Sequence, residues 1–246
     1  MIEIPIVRET DDYIVINKPV GLVVNRAESI KGETVQDWVE KNQKIRTEKN
    51  QNNELFLSRS GICHRLDKET SGCLLIAKNP ETLRYFLDLF KFRKIEKRYI
   101  ALVHGAVEPE EGEVVLPLRR SLFEREKWHV HYDGKRAVSN WRVLSKYVFD
   151  SENERWKDRL SLLSVGLKTG RTHQIRVHFS FLGWPLFADD KYLQKKQAIV
   201  DRKSLNRHFL HAGYLAFIDN KGKNVVVESP LPEDCQGLLD SLDLAS

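Results

Sequence analysis

Short runs rich in β-branched and aromatic residues constrain the fold of this 246-residue chain more than any other feature. Two runs, 13–17 and 21–24, flank the turn signal Lys18-Pro19-Val20, and turn-forming residues also separate the later runs at 72–78, 95–104, 112–116, 127–132, 137–149 and 160–167. Such runs predict β-strands. Many strands with few helices indicate an α+β protein with a largely antiparallel sheet, and not alternating βαβ units.

Three segments have helical signals. Thr34 is a suitable N-cap for a first helix, and Asn79-Pro80-Glu81 combines a cap, a proline at the first position and an acid in the first turn. Thr172 is the predicted cap of a third helix that Gly183 ends. The apolar stripes at helical spacing are Val35, Trp38 and Val39; Leu83, Phe86, Leu87 and Phe90; and Ile175, Phe179 and Leu182. The polar run 48–54 is predicted to be an exposed loop.

Charge and cysteine content narrow the functional classes. The chain has 40 Lys and Arg against 35 Asp and Glu, and five of those acids with no Lys or Arg fall in residues 224–246. The basic body fits a polyanionic partner, although charge alone fits a solvated basic surface equally well. Three cysteines without a CxxC spacing predict neither a disulfide framework nor a zinc–thiolate site. We expect a reduced, cytoplasmic, unexported protein with one domain over 1–246.

The stretch HRLDKETSG, residues 64–72, contains a carboxylate among cations. Asp67 is surrounded by His64, Arg65 and Lys68, and an apolar run follows at 73–77. An acid in such a setting stays ionised and can serve as a nucleophile or a base.

A second cluster of cations is predicted at a helix N-terminus within LKTGRTHQIRVHFSFLGWPLFADDKY, residues 167–192. Arg171, His173 and Arg176 lie where the helix dipole is already positive, so this end favours an anion. That anion is either a nucleic-acid phosphate or Asp67. A structural ion pair between a loop and a helix is the alternative explanation.

The basic stretch KFRKIEKRYIALVHG, residues 91–105, interleaves cations with aromatic rings. Lys94 and Lys97 could hold phosphates while Tyr99 stacks on a base, which is typical of RNA-binding surfaces. Ordinary surface lysines and a core tyrosine explain the same pattern.

In this order along the chain, INKPVGLVV, HRLDKETSG with CLLIAK, KRYIALVHG, TGRTHQIRVH and FLHA resemble the RluA class of RNA pseudouridine synthases, over residues 13–217. The resemblance implies the pseudouridine synthase fold and the isomerisation of uridine to pseudouridine within structured RNA, either tRNA or rRNA. It implies that Asp67 is the nucleophile, Tyr99 the active-site tyrosine and Arg176 the partner of Asp67. Because substrate and product are isomers, no cofactor is expected.

The resemblance also suggests how RNA is held. Arg65 would fill the space left by a flipped uridine, while His64, Lys94, Lys97, Arg171 and His173 would contact the RNA. No metal is expected, because His64 and His173 lack a third ligand at a suitable spacing. We expect a monomer without an N-terminal S4-like domain. Ala188 stands where the family usually has glycine before Asp189.

The residues alone are also consistent with two other functions. An N-glycosidase could use Asp67 with a second carboxylate such as Asp189 and release free uracil. A noncatalytic RNA-binding or RNA-folding factor would not need Asp67 at all. Within the synthase hypothesis, the choice between a covalent sugar adduct and a glycal intermediate is open.

Overall fold

The chain divides into two compact units, described here from a computed structural model of residues 2–28, 30–42, 53–149 and 159–245. The first unit comprises Met1–Glu96 and Ala212–Pro230, and the second comprises Lys97–His211 and Leu231–Ser246. The single domain expected from the sequence stays a prediction.

In the described residues the strands are β1 (Ile6–Glu9), β2 (Tyr13–Lys18), β3 (Ser71–Ala77), β4 (Glu96–His104), β5 (Glu111–Arg120), β6 (Trp128–Val130), β7 (Lys135–Val148), β8 (Arg159–Leu167), β9 (Leu210–Ile218), β10 (Asn224–Glu228) and β11 (Asp243–Leu244). The helices are α1 (Val35–Lys41), α2 (Glu54–Arg59), α3 (Pro80–Lys91), α4 (Gln174–Phe181), α5 (Lys195–Asp201) and α6 (Glu233–Asp240). This content confirms the predicted α+β class.

In the first unit, the strand order is β1-β2-β3-β9, and β10 pairs with β9. The pairs β1–β2, β2–β3 and β9–β10 are antiparallel. Every residue of β3 is buried, because α3 and the neighbouring strands cover it. Tyr13, Phe86 and Phe217 meet edge-on in this core, with ring centroids 5.2–5.6 Å apart. Two free thiols, Cys63 and Cys73, belong to the same core.

The local signals for α1 and α3 are confirmed. The Thr34 side chain accepts from the Asp37 N–H, and the Asp37 carboxylate accepts from the Thr34 N–H, which completes a capping box. Asn79 accepts from the Thr82 N–H at 2.8 Å, ahead of Pro80. Both helices therefore begin where the sequence predicts.

In the second unit, the strand order is β4-β8-β7-β5-β6, and β11 pairs with β7. All of these pairs are antiparallel, which confirms the largely antiparallel sheet. One core cluster of this unit contains Leu102, Phe187, Phe209 and the free thiol Cys235. A smaller cluster joins α4 to β5 and β7 through Val177, Leu118 and Ala137.

The predicted strand at 21–24 is wrong. Gly21 has a φ of 82°, and the carbonyls of Val23 and Val24 accept from the N–H groups of Val35 and Gln36 at 2.9 and 3.0 Å. These carbonyls therefore satisfy the orphan donors at the start of α1, and no neighbouring strand takes them. Helix α2 was not predicted, because its first residue belongs to the polar run 48–54. Of that run, residues 48–52 lie outside the described residues.

Candidate active site

The loop that contains Asp67 is anchored on the side of β3. His64 Nε2 accepts from the Leu75 N–H at 3.1 Å, and its ring lies 4.8 Å from that of Phe90. Leu66 is buried at 5% exposure. Between these anchors Arg65 is exposed and Asp67 is half-buried. The loop is thus fixed to the core, while Asp67 keeps part of its surface exposed.

A buried lysine anchors the other side of this loop. Lys18 is fully buried, and its Nζ donates to the carbonyls of Leu22 at 2.9 Å and Lys68 at 3.2 Å. The Gly21 N–H also donates to the Lys68 carbonyl at 2.9 Å. These bonds tie the first signature segment to the residue that follows Asp67. The ammonium is compatible with burial because several carbonyls share its charge.

The glycine that ends HRLDKETSG is required by close packing. Gly72 has a φ of 114°, and an added Cβ would lie 2.3 Å from the Ala212 carbonyl oxygen. No side chain fits there without a backbone shift. Ala212 is the last residue of the late signature FLHA, so two signature segments meet at this glycine.

In the second unit, helix α4 begins one residue later than predicted. Its N-cap is His173, with a φ of 55°, and no side chain caps it in the usual way. The predicted cap, Thr172, is therefore wrong. Gln174 instead accepts from the Arg171 N–H at 3.0 Å and from the Thr169 hydroxyl at 2.7 Å. These bonds hold the TGRTH turn in place, and Arg171 and His173 remain at the helix start as predicted.

Arg176, on the first turn of α4, is bound to a buried aspartate. Its Nε donates to Asp189 Oδ2 and its Nη2 to Asp189 Oδ1, both at 2.7 Å. Arg176 is 3% exposed and Asp189 is fully buried. Burial raises the pKa of the Asp189 carboxyl, but hydrogen bonds and the charge of Arg176 outweigh burial, so the pKa lies below its ordinary value. Both groups are therefore ionised at neutral pH.

Tyr192 connects this ion pair to neighbouring elements. The Arg176 guanidinium lies 5.1 Å from the centre of the Tyr192 ring, which is a cation–π contact. The Tyr192 hydroxyl accepts from the Trp128 N–H at 2.9 Å and lies 2.8 Å from His173 Nδ1. The backbone N–H of Tyr192 donates to Asp189 Oδ1 at 3.1 Å. Strand β6, the start of α4 and the ion pair are thereby joined.

Lys97 and Tyr99 project from the same face of β4, because alternate residues of a strand share a face. Tyr99 pairs with Val165 of β8 and is 8% exposed. A Cβ added to Gly170 would lie 3.4 Å from Lys97 Nζ, so the amine reaches the TGRTH turn. Burial lowers the pKa of Lys97 to about 8. Lys94, in contrast, is exposed.

One surface went unnoticed in the sequence. The hairpin that joins β5 to β6 presents Phe123 at 97% exposure, and Tyr132 just after β6 is 89% exposed. Arg120 and Arg125 are exposed beside them. We call residues 118–132 the basic hairpin. The same interleaving of cations and rings that singled out residues 91–105 is present in SLFEREKWHVHY and would have identified it.

The candidate residues thus fall into two groups. His64, Arg65, Asp67 and Lys94 belong to the first unit, and Tyr99, Lys97, Arg171, His173 and Arg176 belong to the second. Arg176 is bound to Asp189 and lies 3.6 Å from Asp190 Oδ1, and the sequence analysis considered Asp189 only as a second catalytic acid. The pairing of Arg176 with Asp67 stays a prediction.

Comparisons with known proteins identify the family. The model of the RNA pseudouridylate synthase family matches residues 12–181. The uncharacterized RNA pseudouridine synthase YlyB of Bacillus subtilis is 36% identical over 241 residues, covering 98% of this chain and 73% of that protein. Ribosomal large subunit pseudouridine synthase D of Buchnera aphidicola is 36% identical over 243 residues, covering 95% and 72%.

A solved structure agrees with the sequence matches. Human RNA pseudouridylate synthase domain containing 1 superimposes with a TM-score of 0.71 at 25% identity, covering 99% of this chain and 89% of that one. The chain belongs to the RluA-class family of RNA pseudouridine synthases. It is an enzyme that converts uridine in RNA to pseudouridine, as the sequence predicted.

The described helices and polar side chains bear on membrane and metal binding. Across the described ranges, every helix is too short or too polar to cross a bilayer. Within those ranges, no three His, Cys, Asp or Glu side chains are arranged to hold a metal ion. The absence of a metal from the reaction stays a prediction.

Proposed function

We propose that Asp67 is the catalytic nucleophile of this synthase and acts on a uridine flipped out of structured RNA. The observation that carries this proposal is the contrast between the two signature aspartates. Asp67 is half-buried in an anchored loop, whereas Asp189 is fully buried and held in a bidentate pair. Of these two carboxylates, Asp67 is the one that a nucleotide can approach.

The reaction places clear demands on this carboxylate. The bond between C1′ and N1 of uridine breaks, the detached uracil turns, and C5 bonds to C1′. The proton leaves C5, and N1 ends protonated, so atoms and electrons balance without a redox cofactor. Two routes satisfy this balance: Asp67 attacks C1′ to form a sugar ester, or it assists elimination to a glycal. Exclusion of water protects the detached sugar from hydrolysis.

Tyr99 and Arg176 have supporting roles in this proposal. Tyr99 stacks on the uracil and lies near the C5 proton during its departure. Arg176 pairs with Asp67 and orients its carboxylate.

The RNA is bound by cations and rings from both groups of residues. Lys94, Lys97, Arg171 and His173 contact phosphates, together with the basic hairpin, while Arg65 occupies the space that the flipped uridine leaves. Flipping costs a few kcal/mol, and these contacts offset it. His64 is also an RNA ligand in this proposal, with its Nε2 accepting from the Leu75 N–H.

Large-subunit ribosomal RNA is the first candidate substrate. The relatives from Buchnera aphidicola and Zymomonas mobilis, 36% and 33% identical, are both named ribosomal large subunit pseudouridine synthase D. Transfer RNA is the second candidate. A cytoplasmic location and a monomeric state complete the proposal and rest on the sequence alone.

Two measurements test the proposal. Transcripts labelled with tritium at C5 of uridine should release tritium while the base stays in the RNA, and release of free uracil would instead establish an N-glycosidase. The burial of Asp189 and its two bonds to Arg176 argue against that alternative, because a nucleotide cannot reach this carboxylate. Chemical mapping of pseudouridine in rRNA and tRNA, with and without the gene, then identifies the substrate.

A further inference from the structure

The turn that presents Asp189 passes through a strained residue. Ala188 has a φ of 59°, in the left-handed region where glycine is favoured and alanine is not. The side chain of Ala188 is fully buried in the core that contains Phe187. A non-glycine residue holds this conformation only where its surroundings impose it.

Helix α5 supplies those surroundings. The Ala188 N–H donates to Asp201 Oδ2 at 2.9 Å, and the Ala188 carbonyl accepts from Arg202 Nε at 3.1 Å. The backbone of Ala188 is therefore held on both sides by two consecutive residues, Asp201 and Arg202. Asp201 is fully buried.

Asp201 is itself held by two further side chains. His104 Nε2, from β4, lies 2.7 Å from Asp201 Oδ2, and Gln197 Nε2 donates to Oδ1 at 2.7 Å. The His104 ring is fully buried and stacks on Phe187 with an interplanar angle of 22°. A buried carboxylate requires several donors, and here they fix its two oxygens in one orientation.

We propose that Asp201, oriented by His104 and Gln197, is a positioning residue for the synthase reaction. It imposes the left-handed turn at Ala188, so that the next residue, Asp189, keeps both of its bonds to Arg176. In a chain with glycine at 188 the turn would need less support. The inference rests on the proposed role of Arg176.

The test uses Asp201→Ala, Ala188→Gly and the double variant in the full-length protein, with Ile199→Ala as a control because Ile199 is exposed on the same helix. Single-turnover rates on the mapped RNA and RNA dissociation constants are measured well below each variant's Tm. Hydrogen exchange of the Arg176 Nε–H is followed by NMR as a readout that needs no activity.

Asp201→Ala should lower the single-turnover rate about 10- to 100-fold, the range found when supporting groups of a site are removed. RNA affinity should change less than about threefold, and Arg176 Nε–H exchange should accelerate. Adding Ala188→Gly should restore at least about tenfold of the rate and slow the exchange again, because glycine adopts the turn without support. Ile199→Ala should match the wild type.

Two outcomes would overturn the inference on its own. A double variant no better than Asp201→Ala would show that the turn at 188 is not the route of the effect. A lowered Tm with an unchanged rate and unchanged Arg176 exchange would make Asp201 a purely structural residue. If Asp201→Ala does not fold, Gln197→Ala with and without Ala188→Gly gives the same comparison. A wild type that forms no pseudouridine would instead refute the proposed function, and this inference with it.

Discussion

The Asp67 loop and the turn at 186–192 both present an aspartate from a signature segment, yet they treat it in opposite ways. Asp67 is half-buried in a loop that two hydrogen bonds anchor. His64 accepts from the Leu75 N–H, and the buried Lys18 donates to the Lys68 carbonyl. Asp189 is fully buried, and Arg176 and two backbone N–H groups hold its oxygens. The comparison teaches that burial separates an acid that can react from an acid that orients a neighbour.

The sharpest test of this contrast is removal of Asp67, the acid that we propose to react. Asp67→Asn should lower the rate of pseudouridine formation by about 10⁴-fold or more, as is usual when a nucleophile is lost. RNA affinity and Tm should change little, because the side chain is partly exposed and the loop is anchored by other groups. Gel shift, tritium release and thermal unfolding measure the three quantities, and Asp88→Asn on the exposed face of α3 is the control. An active Asp67→Asn enzyme would contradict the assignment.

The opposite result is expected for the buried acid. Asp189→Asn should remove the bidentate carboxylate partner of the buried Arg176 and destabilise the fold by about 3–5 kcal/mol in urea unfolding, with turnover reduced about 100-fold and affinity reduced less. Arg176→Ala should likewise damage turnover more than affinity. The double variant Arg176→Met/Asp189→Leu should regain much of the stability but not the rate. If it regained both, the pair would be structural only.

The contrast between buried and exposed groups also applies to two lysines, the partly buried Lys97 and the exposed Lys94. The pKa of Lys97 is lowered to about 8, so its charge should fall from about nine-tenths at pH 7 to about one-tenth at pH 9. If Lys97 binds a phosphate, RNA affinity should fall by up to about tenfold over that range. Lys97→Arg should abolish this pH dependence, because arginine stays charged. An unchanged pH profile in that variant would rule out Lys97 as the titrating group.

The lowered pKa of Lys97 should also make the free energy of unfolding depend on pH. The folded state binds the Lys97 proton less tightly than the unfolded chain, whose pKa is near 10.5. The cost of burying the charge is therefore present in full below about pH 8 and disappears as pH rises towards the unfolded value. The free energy of unfolding of wild type relative to Lys97→Met should rise over this window.

The smallest effects are expected at exposed groups of the RNA surface. Lys94→Ala should weaken RNA binding about threefold and reduce the slope of log affinity against log salt by just under one unit.

Phe123→Ala should weaken binding about fivefold by removing a stacking ring, with no change in single-turnover rate at saturating enzyme. Phe181→Ala, exposed at the C-terminal end of α4, is a matched aromatic control for the hairpin. A rate effect without an affinity effect would contradict both assignments.

Most of the fold was predictable because its signals are local. The cap at Asn79, the capping box at Thr34 and the apolar runs of β3, β4 and β8 depend on neighbours a few residues away. The predicted strand at 21–24 is wrong because groups outside any sheet bind its backbone: the start of α1 binds two carbonyls, and Lys18, four residues before Leu22, binds another. Periodicity carries no information about such tertiary partners.

The candidate site was predictable in its residue types but not in its partners. The signature segments selected Asp67, Tyr99 and Arg176, yet the bidentate bond between Arg176 and Asp189 joins residues thirteen positions apart across a turn that only the structure reveals. The left-handed His173 is equally invisible, because Thr172 is a better cap by composition. Tertiary hydrogen bonds overrode the local preference at both positions.

The three buried thiols have a practical consequence for probe chemistry. Burial raises the pKa of Cys63, Cys73 and Cys235 to about 12, so almost none of each is thiolate at neutral pH, and thiolate is the form that maleimides alkylate. A cysteine introduced at Tyr132, which is almost fully exposed, should therefore be labelled selectively on the natural background. A fluorophore there would report the docking of RNA without the removal of any native sulfur.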